Sequence, residues 1–160
     1  GDFNRYVNTL LEFRRWEARV REVTRNWIDR IAASLPAETA ETFRTDSLSI
    51  LYAEIYQPTN IDRLIERKLK AGLSDAGRAE VRAAQAALEQ LRANPRRELM
   101  RLVDEMETAS GLRAYAEAEA AYLLGRSETR ESPAEIEFRE RLRAYRELGA
   151  DLVKRIEAAK

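Results

Sequence analysis

Carboxylate pairs are the residues of this sequence whose spacing could support acid–base chemistry. Asp104 lies three residues before Glu107, and Glu117 lies two residues before Glu119. Such pairs can transfer protons or hold a metal ion through oxygen. The chain contains no histidine and no cysteine, so imidazole bases, thiolate nucleophiles and the common zinc ligands are missing. We therefore expect these carboxylates on solvated helix surfaces, with no catalytic residue, no metal site and no cofactor.

A cluster of arginines could bind an anion. Arg96 and Arg97 follow Asn94-Pro95, a pair that is typical of a helix start. Backbone N–H groups and the helix dipole favour anions at such a start, so Arg96 and Arg97 are candidate ligands for a phosphate or a carboxylate. The alternative is local ion pairing with acidic residues in the following turns.

Four tyrosines could line a pocket for a lipid-like or aromatic ligand. Tyr52 and Tyr56 share one predicted helix face, and Tyr115 and Tyr122 share another. Tyrosine offers a large flat ring and a polar tip, which suits such a pocket. Ordinary packing in and around the core explains the same residues equally well.

The first predicted helix carries heavy apolar residues near its beginning. Tyr6, Leu10, Phe13 and Trp16 form a candidate interaction surface. Either the bundle covers them, or a second copy or a client protein does.

Helix-forming residues dominate the chain, and the apolar residues recur at three- and four-residue steps, which predicts an all-α fold. The pattern predicts one domain, a bundle of six or seven helices with a long first and a long last helix. The first helix is predicted from Phe3 to Ser34. Its apolar stripe, which we expect to face the core, consists of Phe3, Tyr6, Leu10, Phe13, Val20, Val23, Trp27 and Ile31, widened by Leu11, Trp16 and Ile28. The opposite face, which we expect to be solvated, carries Arg14, Arg15, Arg19, Arg25 and Arg30.

Capping residues and prolines predict the other helices. The second helix is predicted from Pro36 to Gln57-Pro58, and the third is capped by Thr59 or Asn60 and ended by a left-handed Gly72. The fourth helix is capped by Ser74, and the fifth opens at Asn94-Pro95. The sixth is capped by Ser110 and closes near Gly125, and the last begins at Ser132-Pro133-Ala134-Glu135 and reaches the C-terminus. The polar segment 125–132 is predicted to be a mobile linker.

Charge balance bears on the class of partner. Lys plus Arg and Asp plus Glu number 28 each, so the surface lacks the positive field that attracts nucleic acid. No apolar run approaches the roughly 20 residues of a membrane span. We therefore expect no nucleic-acid partner and no membrane span. The chain opens on Gly1, and we expect a processed terminus or a tag remnant there, with any export signal already removed.

Two segments resemble elements of a protein family. The stretch Tyr52-Ala53-Glu54-Ile55-Tyr56, and the segment 87–99 with its Asn94-Pro95 step, are similar to elements of small exported all-helical proteobacterial proteins of unknown function. The resemblance implies a periplasmic or secreted helical bundle with no established catalytic residue. A cytoplasmic location stays open.

The sequence as a whole favours a non-catalytic binding or interaction module, in the bacterial envelope according to the resemblance. One alternative is a helical sensor or carrier, which should have an apolar cavity near Tyr52, Tyr56 and Tyr115. Another is an enzyme that uses carboxylates and arginine alone, which should have buried carboxylates close together. An interaction module should instead expose an apolar patch between Tyr6 and Trp16.

Overall fold

A computed structural model describes residues 2–160 of the chain. Within this range the protein is all-α and has no strand. The helices are α1 (Asp2–Ala33), α2 (Ala37–Leu51), α3 (Ala53–Tyr56), α4 (Asn60–Lys70), α5 (Asp75–Met106), α6 (Ala109–Leu123), α7 (Pro133–Arg146) and α8 (Leu152–Ala158). The predicted all-α class and the long first helix are confirmed. The predicted number of six or seven is slightly low, since the described residues form eight.

One additional helix comes from a break in the predicted second helix at Tyr52. This residue has φ −115° and ψ 44°, outside the helical range, so α2 ends before it and α3 begins after it. The side chain of Tyr52 is buried, and its hydroxyl accepts a hydrogen bond from Arg25 and donates one to Asp104. The break between α2 and α3 therefore falls at a residue that is held by contacts with distant parts of the chain.

The last predicted helix is also broken. Gly149 adopts φ +83° between α7 and α8, and a left-handed residue ends a helix. A Cβ at this position would lie 2.5 Å from Cδ1 of Leu88, so the site needs glycine for space as well as for its backbone angle. The predicted continuous last helix is therefore wrong.

The predicted start of a helix at Asn94-Pro95 is wrong, because α5 runs without interruption through Pro95. A proline inside a helix costs about 3 kcal/mol, since it removes a hydrogen bond and crowds the preceding turn. Leu88, Arg92 and Leu99, which share one face of α5, are all almost completely buried. Burial of this face on both sides of Pro95 offsets the local cost.

The predicted helix ends have mixed outcomes. Thr59 precedes α4 and its N–H donates to Asp62, and Ser132 forms the predicted capping box with Glu135. Thr108, and not Ser110, caps α6. Among the described residues only Gly125 and Gly149 have positive φ, so Gly72 is not left-handed, and the residue that ends α4 is an extended Ala71.

The chain forms two compact units. The first consists of the residues up to Tyr56 together with Met100–Arg139, and the second consists of Gln57–Leu99 and Glu140–Lys160. In the first unit, α1 packs against α6 and α2 over a core of Val7, Leu11, Leu112, Ala116 and Ala120. In the second unit, α4 packs against α8 over a core of Ile61, Ile65, Val81, Ala84, Leu88, Leu152, Ile156 and Ala159. The single domain stays a prediction.

The part of the chain that the structure describes holds no helix with the length and apolar character of a membrane span.

Candidate interaction surface

Helix α1 carries two rows of residues on nearly opposite faces. The inner seam, which faces the other helices of the first unit, consists of Val7, Leu11, Arg14, Ala18, Arg21, Arg25, Ile28 and Ala32. The outer seam consists of Tyr6, Phe13, Trp16, Val20, Val23, Trp27 and Ile31. At about 100° per residue, the mean directions of the two seams are roughly 140° apart.

All seven side chains of the outer seam are exposed. Trp16 is 74% exposed, Phe13 63% and Trp27 58%. Single exposed apolar residues are ordinary on a protein surface, whereas a contiguous row of this kind is a candidate interaction site.

The inner seam holds three half-buried arginines whose charges are met by partners within the first unit. The guanidinium of Arg14 lies 4.0 Å from the ring centre of Tyr115. Arg21 donates to the carbonyl oxygen of Leu51 at 2.8 Å, and its Nε lies 2.5 Å from Oε1 of Glu107. These partners allow the cationic face of α1 to turn inward.

The orientation predicted for α1 is therefore wrong. Most of the stripe expected to face the core is exposed, whereas Arg14 and Arg25 on the face expected to be solvated are partly buried. The arginines take the inner positions because tyrosines and carboxylates lie opposite them, and the alanines of the inner seam let other helices approach. The aromatic residues are left outside.

The predicted interaction residues are placed in two different ways. Tyr6, Phe13 and Trp16 are exposed on the outer seam, whereas Leu10 is partly buried and packs against the core of the first unit. Four further members of the outer seam were not predicted as surface, namely Val20, Val23, Trp27 and Ile31. Their three- and four-residue spacing from Phe13 onward groups them on one helix face with Phe13 and Trp16, but it does not decide whether that face is core or surface.

A groove beside the outer seam widens this surface. It has a volume of about 530 Å³ and lies between α1 and α2. Trp16 and Val20 line it from α1, and Ile50, which is 79% exposed, lines it from α2. Ile50 was not predicted as surface, because it lies beside Leu51 inside the predicted second helix and the pattern does not say which of the two is exposed.

The first unit also contains a half-open cavity of about 570 Å³, which we call the tyrosine cavity. Tyr52 and Tyr115 both line it, as the ligand-pocket prediction expects. Tyr56 and Tyr122 do not line it, and Tyr122 is 45% exposed. The four predicted tyrosines therefore do not form one pocket.

Charged groups make the tyrosine cavity less apolar than a lipid carrier would need. Arg14, Arg21, Glu107 and Arg139 are among its lining residues. Burial raises the pKa of Glu107, while Arg21 and Arg25 oppose that change. Oε2 of Glu107 is buried, accepts no hydrogen bond within residues 2–160, and lies 3.5 Å from Nη2 of Arg25.

Tyr52 is fixed by two hydrogen bonds at this cavity. Its hydroxyl donates to Oδ1 of Asp104 at 2.8 Å and accepts from Nη1 of Arg25 at 3.1 Å. Burial, followed by the neighbouring Asp104 carboxylate, raises the pKa of Tyr52 to about 12. The phenol is therefore a poor proton donor at neutral pH, and its two hydrogen bonds tie Tyr52 to Arg25 of α1 and Asp104 of α5.

The carboxylates of the two predicted pairs are not all solvated. Glu119 is 4% exposed. Burial would raise the pKa of Glu119, but hydrogen bonds from Arg130 and Tyr115 outweigh it and hold the pKa below its usual value. Glu117 pairs with Arg113 on the surface. The prediction of solvated carboxylates is wrong for Glu119 and for the largely buried Glu107, because basic partners compensate their burial.

No group of three or more acidic side chains within residues 2–160 is arranged to hold a metal ion.

Arg96 and Arg97 do not lie at a helix start, because α5 is continuous there. Nη1 of Arg96 lies 3.1 Å from Oε2 of Glu89, and its Nε donates to the Tyr145 hydroxyl at 3.1 Å. Arg97 donates to the side chain of Asn94. The helix start on which the predicted anion site at Arg96 and Arg97 depends is therefore wrong. These contacts are not the ion pairs with the following turns that were the alternative, since Glu89 precedes Arg96 and Asn94 is uncharged.

The second unit contains an ion pair between a buried arginine and a partly buried aspartate that was not predicted from the sequence. Nη1 of Arg92 lies 2.7 Å from Oδ1 of Asp62, and Nη2 of Arg92 donates to Oγ1 of Thr59 at 2.8 Å. Burial would raise the pKa of Asp62, but hydrogen bonds from Arg92 and Thr59 outweigh it and lower that pKa. Pairing across 30 residues leaves no local pattern in the sequence.

Comparison of the chain with families of known proteins, with curated proteins and with solved structures finds no match.

Proposed function

We propose that this protein is a non-catalytic protein-interaction module, and that its docking surface is the outer seam of α1. The proposed occupant is an amphipathic α-helix of a partner protein. One observation carries the proposal, namely the row of seven exposed large apolar side chains along one helix.

The spacing of the outer seam favours a helix as its occupant. From Phe13 to Trp27 the apolar residues alternate steps of three and four, which is the average period of 3.5 residues that packs one helix along another. A helix of the length of α1 spans about 48 Å, so the row offers several successive turns for contact.

Covering the outer seam with a partner helix would gain free energy by burying its large apolar side chains. Complete burial of a large apolar side chain is worth about 1.5–3 kcal/mol relative to exposure. Phe13, Trp16 and Trp27 retain more than half of their surface for such a gain. The free-energy cost of association offsets part of this gain, but burial of several such side chains in one row gains more free energy than burial of one isolated side chain.

Placement of this module in the periplasm or outside the cell stays a prediction from the resemblance of the Tyr52–Tyr56 and Asn94-Pro95 segments. The interaction proposal does not depend on it.

Site-specific photo-crosslinking in the host cell tests the proposal. A photoreactive phenylalanine analogue replaces Phe13, Val20 or Trp27 of the full chain, and matched controls carry it at Arg15, Glu22 or Asp29, which are exposed but off the outer seam. We expect adducts from the seam positions, with cross-linked peptides that map by mass spectrometry to a helix with apolar residues at three- and four-residue steps. Equal labelling from seam and control positions, or no adduct, would refute the proposal.

A second candidate function is suggested by the tyrosine cavity, whose volume of about 570 Å³ and whose Tyr52 and Tyr115 lining suit a small aromatic ligand with polar groups. Native mass spectrometry of protein purified from its own host tests it. A bound mass that disappears in a Tyr115→Trp variant of unchanged helicity supports a carrier, and a bare chain contradicts it.

A further inference from the structure

We infer that the helix received by the outer seam is α1 of a second copy of this chain, in antiparallel orientation. This inference rests on the proposed function and names its partner. In the alignment proposed, Phe13 of each copy lies level with Trp16 of the other.

The exposed charges beside the outer seam discriminate between the two orientations. Glu12 and Arg19 flank it on one side and Glu17 flanks it on the other. In paired helices, residues at these flanking positions face each other across the seam and set the orientation. Parallel copies bring Glu12 of each chain beside Glu17 of the other, which places like charges together twice.

Antiparallel copies give the opposite result. Positions on the same flank then meet, so Glu12 of each chain approaches Arg19 of the other, and the two-fold axis creates this pair twice. Both side chains are available, since Glu12 is exposed and the Arg19 side chain is 73% exposed, with Glu22 of its own helix as its neighbour at 2.9 Å. Exposed pairs add little affinity, but repulsion in the parallel alignment makes them decisive for orientation.

The seam is also complementary to itself in side-chain size. With Phe13 level with Trp16 of the second copy, Tyr6 falls level with Val23, and Thr9 with Val20. The aromatic pair therefore lies near the two-fold axis, the large ring of Tyr6 meets the small Val23 at the outer end, and the Thr9–Val20 layer between them is small on both sides. Offset aromatic pairs at an interface centre are favourable, and large-against-small layers leave few voids.

Sedimentation equilibrium of the full chain over a range of concentrations tests the second copy as the occupant. We expect a monomer–dimer equilibrium whose dissociation constant rises at least about tenfold in Phe13→Glu, because a charge is then buried at the centre. The matched control Asn8→Glu adds the same charge at an exposed position of α1 off the seam and should leave the constant unchanged. Circular dichroism checks that both variants remain helical.

Charge exchange tests the orientation without touching the apolar row. Glu12→Arg and Arg19→Glu should each weaken the dimer about three- to tenfold, and an equimolar mixture of the two variants should form a heterodimer at least as tight as the unmodified dimer. A tighter dimer for Glu12→Arg alone would indicate the parallel arrangement and overturn the inference.

The outcomes also separate this inference from the proposed function. A chain that stays monomeric at all concentrations, while its outer seam cross-links in cells to a helix of another protein, overturns the second copy and leaves the interaction module standing. A monomer with no seam-specific adduct overturns both.

Discussion

The guanidinium of Arg14 stacks on the ring of Tyr115, 4.0 Å from its centre, in the first unit. Tyr115 lies on α6, the helix against which the inner face of α1 packs. A cation thus occupies an inner position of α1, and the aromatic Phe13 and Trp16 beside it in sequence are exposed. The side of α1 that remains available to a partner follows from this pairing.

The pairing of Arg14 with Tyr115 should be measurable as a coupling energy. Arg14→Gln and Tyr115→Leu should each lower the free energy of unfolding, and the double variant should lose less than the sum, with a coupling of about 1 kcal/mol for a partly desolvated cation–π contact. Urea denaturation of the four proteins gives this value. Strict additivity would show that the stacked geometry contributes nothing.

Tyr52 should make the protein sensitive to alkali. Its pKa is about 12 in the folded protein and about 10 when unfolded, so the native state holds the phenolic proton more tightly. The resulting stabilisation is fully present below pH of about 10 and is lost as the pH rises toward 12. Urea denaturation at successive pH values should show this decline.

Tyr52→Phe is the control for that decline. It cannot ionise, and it loses the hydrogen bond to Asp104, so we expect lower stability at neutral pH and a shallower loss between pH of about 10 and 12. An identical alkaline slope in both proteins would assign the effect to another tyrosine.

The fold class was predictable from the sequence, whereas the orientation of α1 was not. Apolar periodicity identifies a helix and the direction of its apolar face, and it located α1 to within one residue at each end. It cannot report that Arg14 and Arg25 find Tyr115 and Asp104 opposite them, because those partners lie about 80–100 residues away. When such distant partners are unknown, a row of aromatic and aliphatic residues on one helix face is predicted to face the core.

The interruptions of the helices show the same limit. Ser132 and Glu135 cap α7 through contacts three residues apart, so their role was visible in the sequence. Pro95 is a local signal that was overridden, since α5 buries Leu88 and Leu99 on either side of it. The predicted helix faces pair Tyr56 with Tyr52 and Tyr122 with Tyr115, but the helix breaks at Tyr52, and face periodicity does not decide which ring reaches the tyrosine cavity.

The ion pair of Arg92 and Asp62 should make the second unit sensitive to loss of either partner. Arg92→Met leaves the partly buried Asp62 carboxylate without its main donor, and we expect a loss of about 3 kcal/mol in the free energy of unfolding.

Asp62→Asn tests how the stability that this ion pair contributes depends on pH. Because the folded pKa of Asp62 is lowered, its stabilisation is present above the unfolded value of about 3.9 and is lost as the pH falls through the lower folded value.

Thermal denaturation of the wild type and Asp62→Asn from neutral pH downward measures this dependence. The difference in stability should be largest near neutrality and should shrink below pH of about 4, since a protonated aspartate resembles asparagine. A constant difference down to acid pH would mean that the charge of Asp62 contributes no stability.

Alanine substitution of Gly149, which lies in the break between α7 and α8, can be compared with alanine substitution of Gly72, which follows α4 and has open space around it. Gly149→Ala combines a left-handed backbone with a Cβ 2.5 Å from Cδ1 of the buried Leu88, so we expect a loss of about 1–3 kcal/mol in the free energy of unfolding. Gly72→Ala meets no atom within 4 Å and no positive φ, and it should be neutral or raise stability by up to about 1 kcal/mol, because alanine narrows the unfolded ensemble. Chemical denaturation of both variants under one set of conditions compares them. Equal effects would contradict a steric and conformational requirement for glycine at 149 and would favour a continuous helix from α7 into α8.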